Sequence, residues 1–178
     1  MTAIVGIAEK GKVWIGGDSQ GTRGGTKVRL AEGKVTFNGE FLIGTCGTHR
    51  LANLARHIFV PPPLVAAADL DGYMAREFSD AWRECVRSSG QLNVENGYES
   101  CDGNMLVGVR GRLYELDSSF GAVRSLDCYA AIGSGDNIAL GALHVTKGTK
   151  PEKRVRLALE AAAKWNDGVS APFHIKHI

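Results

Sequence analysis

The sequence has 178 residues, 44% hydrophobic and 22% charged, with a formal net charge of +2. That length suits one domain, 1–178, able to bury its own core, and the balanced charge gives no footing for a nucleic-acid partner or a polybasic membrane surface. No apolar run approaches the ~20 residues of a membrane span, and Glu9, Lys10 and Lys12 interrupt the first hydrophobic run, which excludes a signal peptide.

In chain order, a strand is expected over Thr2–Ala8 and a second over Val13–Asp18. A tight turn at Glu9-Lys10-Gly11-Lys12 joins them, with Gly11 supplying the positive φ such turns need. The Gly-rich stretch Gly21–Gly25 reads as a loop. The strongest hairpin signal is Lys34–Ile43, with Asn38-Gly39 as a type I′ pair. Two helices follow. Thr48 caps the first, whose apolar face is Leu51, Leu54, Ala55 and Ile58, and Pro61-Pro62-Pro63 ends it. The second runs from Tyr73 to Arg87, with Met74, Phe78, Trp82 and Cys85 at helical spacing. Ser88–Asp102 is polar and reads as a loop. Strands return at Met105–Val109, Leu113–Leu116 and Tyr129–Ile132. Helices at Asn137–Thr146 and Glu152–Trp165, with Pro151 near the start of the last, precede a final strand within Val169–Ile178. Strands grouped between helix pairs imply an α+β protein in four layers. Two antiparallel sheets face each other, with helices on both outer faces.

Four cysteines, Cys46, Cys85, Cys101 and Cys128, match neither a zinc spacing nor a redox pair. They read as reduced thiols of a cytoplasmic protein, and no metal or cofactor is expected.

Thr2 directly follows Met1. Once an aminopeptidase removes the methionine, its α-amine, titrating near pH ~7.7–8.0, lies beside its own hydroxyl and can take the hydroxyl proton. Many proteins begin Met-Thr, so this alone signals little. The first hairpin adds to it: a register with Ala8 opposite Val13 brings Thr2 opposite Ser19, beside Asp18. Lys34, at the start of the second hairpin, would keep a nearby amine unprotonated. Taken alone, Asp18 reads equally as a loop-edge carboxylate and Lys34 as a solvated strand lysine. Thr45-Cys46-Gly47-Thr48 leads from strand to helix, where backbone N–H groups can face an anion and Gly47 allows close approach.

Together these residues resemble the proteasome β-subunit branch of the N-terminal nucleophile hydrolases. The peptidase subunit of the bacterial two-component, proteasome-like protease is especially similar. Thr2-Ala-Ile-Val-Gly-Ile followed by Gly-Gly-Asp18-Ser-Gln-Gly-Thr22 is similar to the family's opening signature. Lys34-Val35 resembles its catalytic lysine, sixteen positions after Asp18; Lys27 is a rival at a poorer spacing. Ile43-Gly-Thr-Cys-Gly47-Thr48 resembles the oxyanion turn. Gly-Ser134-Gly135 resembles the segment carrying a supporting serine, and Asp167 and Ser170 the family's Asp-x-x-Ser pair. The sequence departs from the pattern at Thr48-His49-Arg50-Leu51, where the usual aspartate is missing. It departs again at Ala171-Pro172-Phe173, in place of a double glycine.

The resemblance implies an αββα sandwich and a threonine-type endopeptidase with Thr2, Asp18, Lys34, Gly47, Ser134, Asp167 and Ser170 at its centre. Thr22 and Gly47 would hold substrate. It also implies a ring or stacked-ring homo-oligomer acting on unfolded polypeptides fed by a separate ATP-dependent unfoldase. A small-molecule amidase with the same nucleophile and a catalytically silent scaffold subunit remain as alternatives.

Overall fold

The computed structural model describes residues 1–65 and 69–178. β1 (Ile4–Glu9) folds onto β2 (Lys12–Gly17) about Lys10 and Gly11, at φ 50 and 74, with Ala8 opposite Val13. This is the expected turn and register. The Gly-rich stretch is not a loop but a hairpin, β3 (Gln20–Arg23) and β4 (Thr26–Arg29). Only Gly24 and Gly25, at φ 53 and 81, form its turn. β5 (Val35–Asn38) and β6 (Phe41–Thr45) form the next hairpin. Its register pairs Asn38 with Phe41, so the turn is Gly39-Glu40, one residue later than expected. Asn38 stays in the strand because its Nδ2 donates to Ala55 O and Phe59 O at 3.0 and 2.9 Å, closing the end of the following helix.

α1 (His49–His57) is capped by Thr48, whose side chain accepts from Leu51 N. Leu51, Leu54 and Ala55 are buried as expected, but Ile58 is 48% exposed. α2 (Leu70–Tyr73), a π-wound turn (Met74–Phe78) and α3 (Ser79–Ser88) run without a break. The expected polar loop contains a short hairpin, β7 (Asn93–Glu95) and β8 (Tyr98–Ser100). Its turn is Asn96-Gly97 at φ 50 and 82, a type I′ pair that the sequence carries in plain view. β9 (Met105–Val109), β10 (Arg112–Leu116), the two-residue β11 (Ala122–Val123) and β12 (Tyr129–Ile132) follow. α4 (Asp136–Val145), α5 (Pro151–Trp165) and β13 (His174–His177) complete the chain.

One sheet has the order β12-β1-β2-β13 and the other β11-β10-β9-β6-β5. Alternation along β1 divides the core. Ala3, Val5 and Ile7 pack with Ala139, Leu159 and other residues of α4 and α5. Ile4 turns the other way, joining Val13, Ile15, Leu42 and Leu106 between the sheets. Phe41, Ile43, Met105 and Val107 face α1–α3 through Leu54, Phe78 and Trp82. The layers are therefore helix, sheet, sheet, helix, as the sequence led us to expect.

The two sheets approach closely where β6 carries Gly44. A Cβ there would lie 2.5 Å from Ile4 Cγ2 and 2.9 Å from Ile15 Cγ2, both in strands that cannot yield. Gly44→Ala is predicted to destabilise by about 1–3 kcal/mol through overpacking. Urea unfolding checks this, and an unchanged midpoint would refute close sheet contact at this point.

Candidate active site

The β1–β2 register, continued one step past Ile4 and Gly17, sets Ala3 against Asp18. The backbone confirms the pairing: Asp18 N donates to Ala3 O at 3.3 Å. Ala3 N donates to Asp18 Oδ1 at 3.0 Å, and Gln20 N donates to Oδ2 at 2.9 Å. The carboxylate is fully buried. Lys34 enters from the start of β5, where its carbonyl accepts from Thr45 N at 3.0 Å. Its Nζ lies 2.9 Å from both Asp18 oxygens and 2.7 Å from Thr2 Oγ1. Burial pushes the Lys34 pKa below its usual value, against the raising effect of the Asp18 carboxylate. An ammonium so placed gives up its proton more readily than a solvated lysine does.

A second set of contacts holds the Thr2 backbone. Thr2 N donates to Ser134 Oγ at 3.2 Å, and Gly135 N donates to Thr2 O at 3.2 Å. Ser134 is gripped in turn by Asn166 at the end of α5. Asn166 Nδ2 donates to Ser134 O at 2.7 Å, and Ser134 Oγ donates to Asn166 Oδ1 at 3.3 Å. Gly168 N fixes the same amide oxygen at 2.9 Å. Asn166 is the functional candidate that the sequence reading missed. The Asp-x-x-Ser spacing drew attention to its neighbour, and the helix C-cap position was its only sequence signal.

Asp167 stands apart from this cluster. Its side chain is exposed and has no hydrogen bond among the described residues; only its backbone O is engaged, by Gln20 Nε2 at 2.9 Å. An asparagine one residue earlier fills the space beside Ser134, which turns the aspartate outward. Ser170 is brought near by its backbone, which accepts from Ser19 N at 3.3 Å, but its hydroxyl bonds to no described residue. Lys27 stands on β4 opposite Thr22, with no contact to Thr2 or Asp18.

The turn after β6 rests on Asp102–Asn104. Cys46 N donates to Asn104 O at 3.0 Å and Thr48 N to Asp102 O at 3.2 Å. Gly47 between them has φ 108, and a Cβ there would fall 2.0 Å from Asp102 O, so no other residue fits. Its own N–H is accepted by no described residue, and Gly47 lines the cleft.

That cleft has a volume of about 320 Å³, and Thr2, Thr22, Lys34, Gly47 and His49 contribute to its walls. Thr22 Oγ1 accepts from Gln20 Nε2 at 3.3 Å. Cys46 also lines it, but burial pushes its thiol pKa up, leaving little thiolate near neutral pH. Met1 reaches into the same space: Thr2 Oγ1 donates to Met1 O at 2.6 Å. While Met1 is attached, the Thr2 nitrogen is an amide and cannot accept a proton. Among the described residues no group of three or more His, Cys, Asp or Glu is placed to hold a metal ion, and no helix is long and apolar enough to cross a membrane.

No family model and no curated protein matches the chain. Solved structures do. A BPH protein from Thiobacillus denitrificans, in complex with epoxomicin, is similar at TM-score 0.80 and 19% identity, over 99% of this chain and 97% of that one. HslV from Trypanosoma brucei is similar at TM-score 0.68 and 18% identity, over 98% of each chain. Anbu, an ancestral β-subunit from Yersinia bercovieri, is similar at TM-score 0.69 and 14% identity, over 98% of this chain and 80% of that one. The fold is thus that of the proteasome-type N-terminal nucleophile hydrolases, as the sequence resemblance implied.

The geometry predicts a strong asymmetry in stability at the site. Asp18→Ala leaves the Lys34 ammonium buried without its partner, at a cost of about 3–5 kcal/mol. Denaturant unfolding of the variant measures this, and a loss under ~0.5 kcal/mol would show that the pair does not hold the site together.

Proposed function

We propose that this chain is a threonine-type endopeptidase whose nucleophile is Thr2 Oγ1, exposed beside a free α-amine once Met1 is removed. One observation carries the reading. A buried lysine bridges a buried carboxylate and the Thr2 hydroxyl, at 2.9 and 2.7 Å, on the wall of an open cleft.

The chemistry follows from the positions. With Met1 gone, the Thr2 amine lies beside Ser134, which Asn166 holds, and accepts the Oγ1 proton. Positive charge at Lys34 discourages protonation of that amine and stabilises developing negative charge on Oγ1. Asp18 anchors Lys34 and balances its charge. Oγ1 attacks the peptide carbonyl, and the oxyanion of the tetrahedral intermediate takes a hydrogen bond from the unpartnered Gly47 N–H. The amine returns its proton to the departing nitrogen, leaving an ester on Thr2. Water, deprotonated by the same amine, then hydrolyses the ester and restores the hydroxyl. Neither the Ser170 hydroxyl nor the Asp167 carboxylate is given a step in this scheme.

The substrate class is unfolded polypeptide, threaded past Thr22 and Gly47 within a homo-oligomeric ring or stacked rings, with a separate ATP-dependent unfoldase. The likeness to proteasome-type subunits supports this. A cytoplasmic location goes with it, in keeping with four unpaired cysteines.

Intact mass should show the loss of Met1 from the purified protein. Thr2→Ala should abolish peptide hydrolysis with the fold unchanged, and Thr2→Ser should keep part of it. Lys34→Ala should lower kcat by about a hundredfold or more, as expected for loss of an activating charge. Undiminished hydrolysis by Thr2→Ala protein would overturn the mechanism. The rate should rise with pH as the amine deprotonates near ~7.7–8.0. Asn166→Asp should move that limb to higher pH, because a carboxylate beside Ser134 favours the ammonium form. An unmoved profile would remove Asn166 from the amine's support.

A further inference from the structure

β4 of the β3–β4 hairpin opens on a second recess of about 190 Å³, lined by Ser19, Lys27, Val28, Arg29, Ser170 and Ala171. No carboxylate among the described residues lines it. Lys27 and Arg29, two apart on one strand, face the same way, and neither side chain has an ion-pair or hydrogen-bond partner among the described residues. Two unopposed cations in a concave wall focus a positive potential. The fork of Arg29 suits a planar carboxylate. The Ser170 hydroxyl is a free donor, while that of Ser19 is engaged with Pro172 O at 2.7 Å.

The recess is tied to the proposed nucleophile through the backbone. Ser19 follows Asp18 directly and is bonded to Ser170 through the backbone at 3.3 Å. Ser170 lies four residues beyond Asn166, which grips Ser134 beside the Thr2 nitrogen. No residue of the Gly47 turn lines the recess. Its walls thus belong to the segments that hold the amine side of Thr2, and not to the oxyanion turn. In amide hydrolysis the departing nitrogen must meet the proton held by the Thr2 amine, so the departing segment of substrate lies on that side too.

We propose that this recess binds a carboxylate on the departing segment, within two or three residues after the scissile bond. The carboxylate is an acidic side chain or a free C-terminus. This deepens the peptidase reading and rests on it for the direction of the substrate. The bound group meets Lys27, Arg29 and the Ser170 hydroxyl, and the preference it creates weakens as salt rises.

Three peptides of one sequence test this. The first has Asp at the second position after the scissile bond and an amidated C-terminus. The second has Asn there and is amidated. The third has Asn there and ends two residues after the bond in a free carboxylate. Binding to Thr2→Ala protein lacking Met1 is read by calorimetry, and kcat/KM is read with the mature enzyme. A carboxylate peptide should bind about five- to tenfold more tightly than the neutral one at low salt. The first peptide leading assigns a side chain, and the third a C-terminus. Lys27→Gln/Arg29→Gln should bring the ratio to about one. Equal binding of all three peptides, or a preference that survives the double substitution, overturns the proposal. Discriminating binding without any hydrolysis by the mature protein supports the recess and overturns the peptidase reading alone.

Discussion

The ammonium of Lys34 lies within hydrogen-bond reach of four oxygens: both of Asp18, the Thr2 hydroxyl and, while Met1 is attached, the Met1 carbonyl. Taking this group out of water is costly, and only the carboxylate opposite makes it tolerable. The carboxylate is fixed in turn by the N–H groups of Ala3, just before β1, and Gln20, at the start of β3. Position, charge and burial are thus set by backbone already committed to the central sheets. This is how a fold assembles a reactive centre from an unremarkable chain end. The first strand must be held in the middle of a sheet, and Thr2 is its forward extension.

The four layers serve that end. β1 is interior to its sheet, between β12 and β2, and buried on both faces. Each neighbour brings one part of the site. β2 leads into Asp18, the segment after β12 supplies Ser134, and β6 of the facing sheet leads into Gly47. Lys34 comes from the strand beside β6. Asn166 caps α5, so even the outer helical layer is linked to the Thr2 backbone, by way of Ser134.

Much of this was legible in the sequence because it depends on local rules. Lys10-Gly11 forced the turn that aligns Thr2 with Asp18, and Thr48 marked the start of α1. What escaped depends on tertiary contact. Asn38 looked like a turn residue, yet two helix carbonyls hold it in the strand. The Gly-rich stretch hid a hairpin because glycine has no strand propensity; Leu30, packed against Gly21, gives that strand its support. Asn166 and Asp167 are adjacent, and no rule of spacing decides which side chain meets Ser134. The curl of the chain at the end of α5 decides it. Asn96-Gly97 was legible and overlooked within a segment read as polar loop.

The most direct test of the central claim is to find where the acyl group goes. Mature protein treated with an activated peptide ester, quenched in acid and mapped by mass spectrometry, should carry one acyl group on its N-terminal peptide, at Thr2. The cleft also holds the Cys46 thiol, a rival nucleophile. Acylation at Cys46, or none on the N-terminal peptide, would contradict the account.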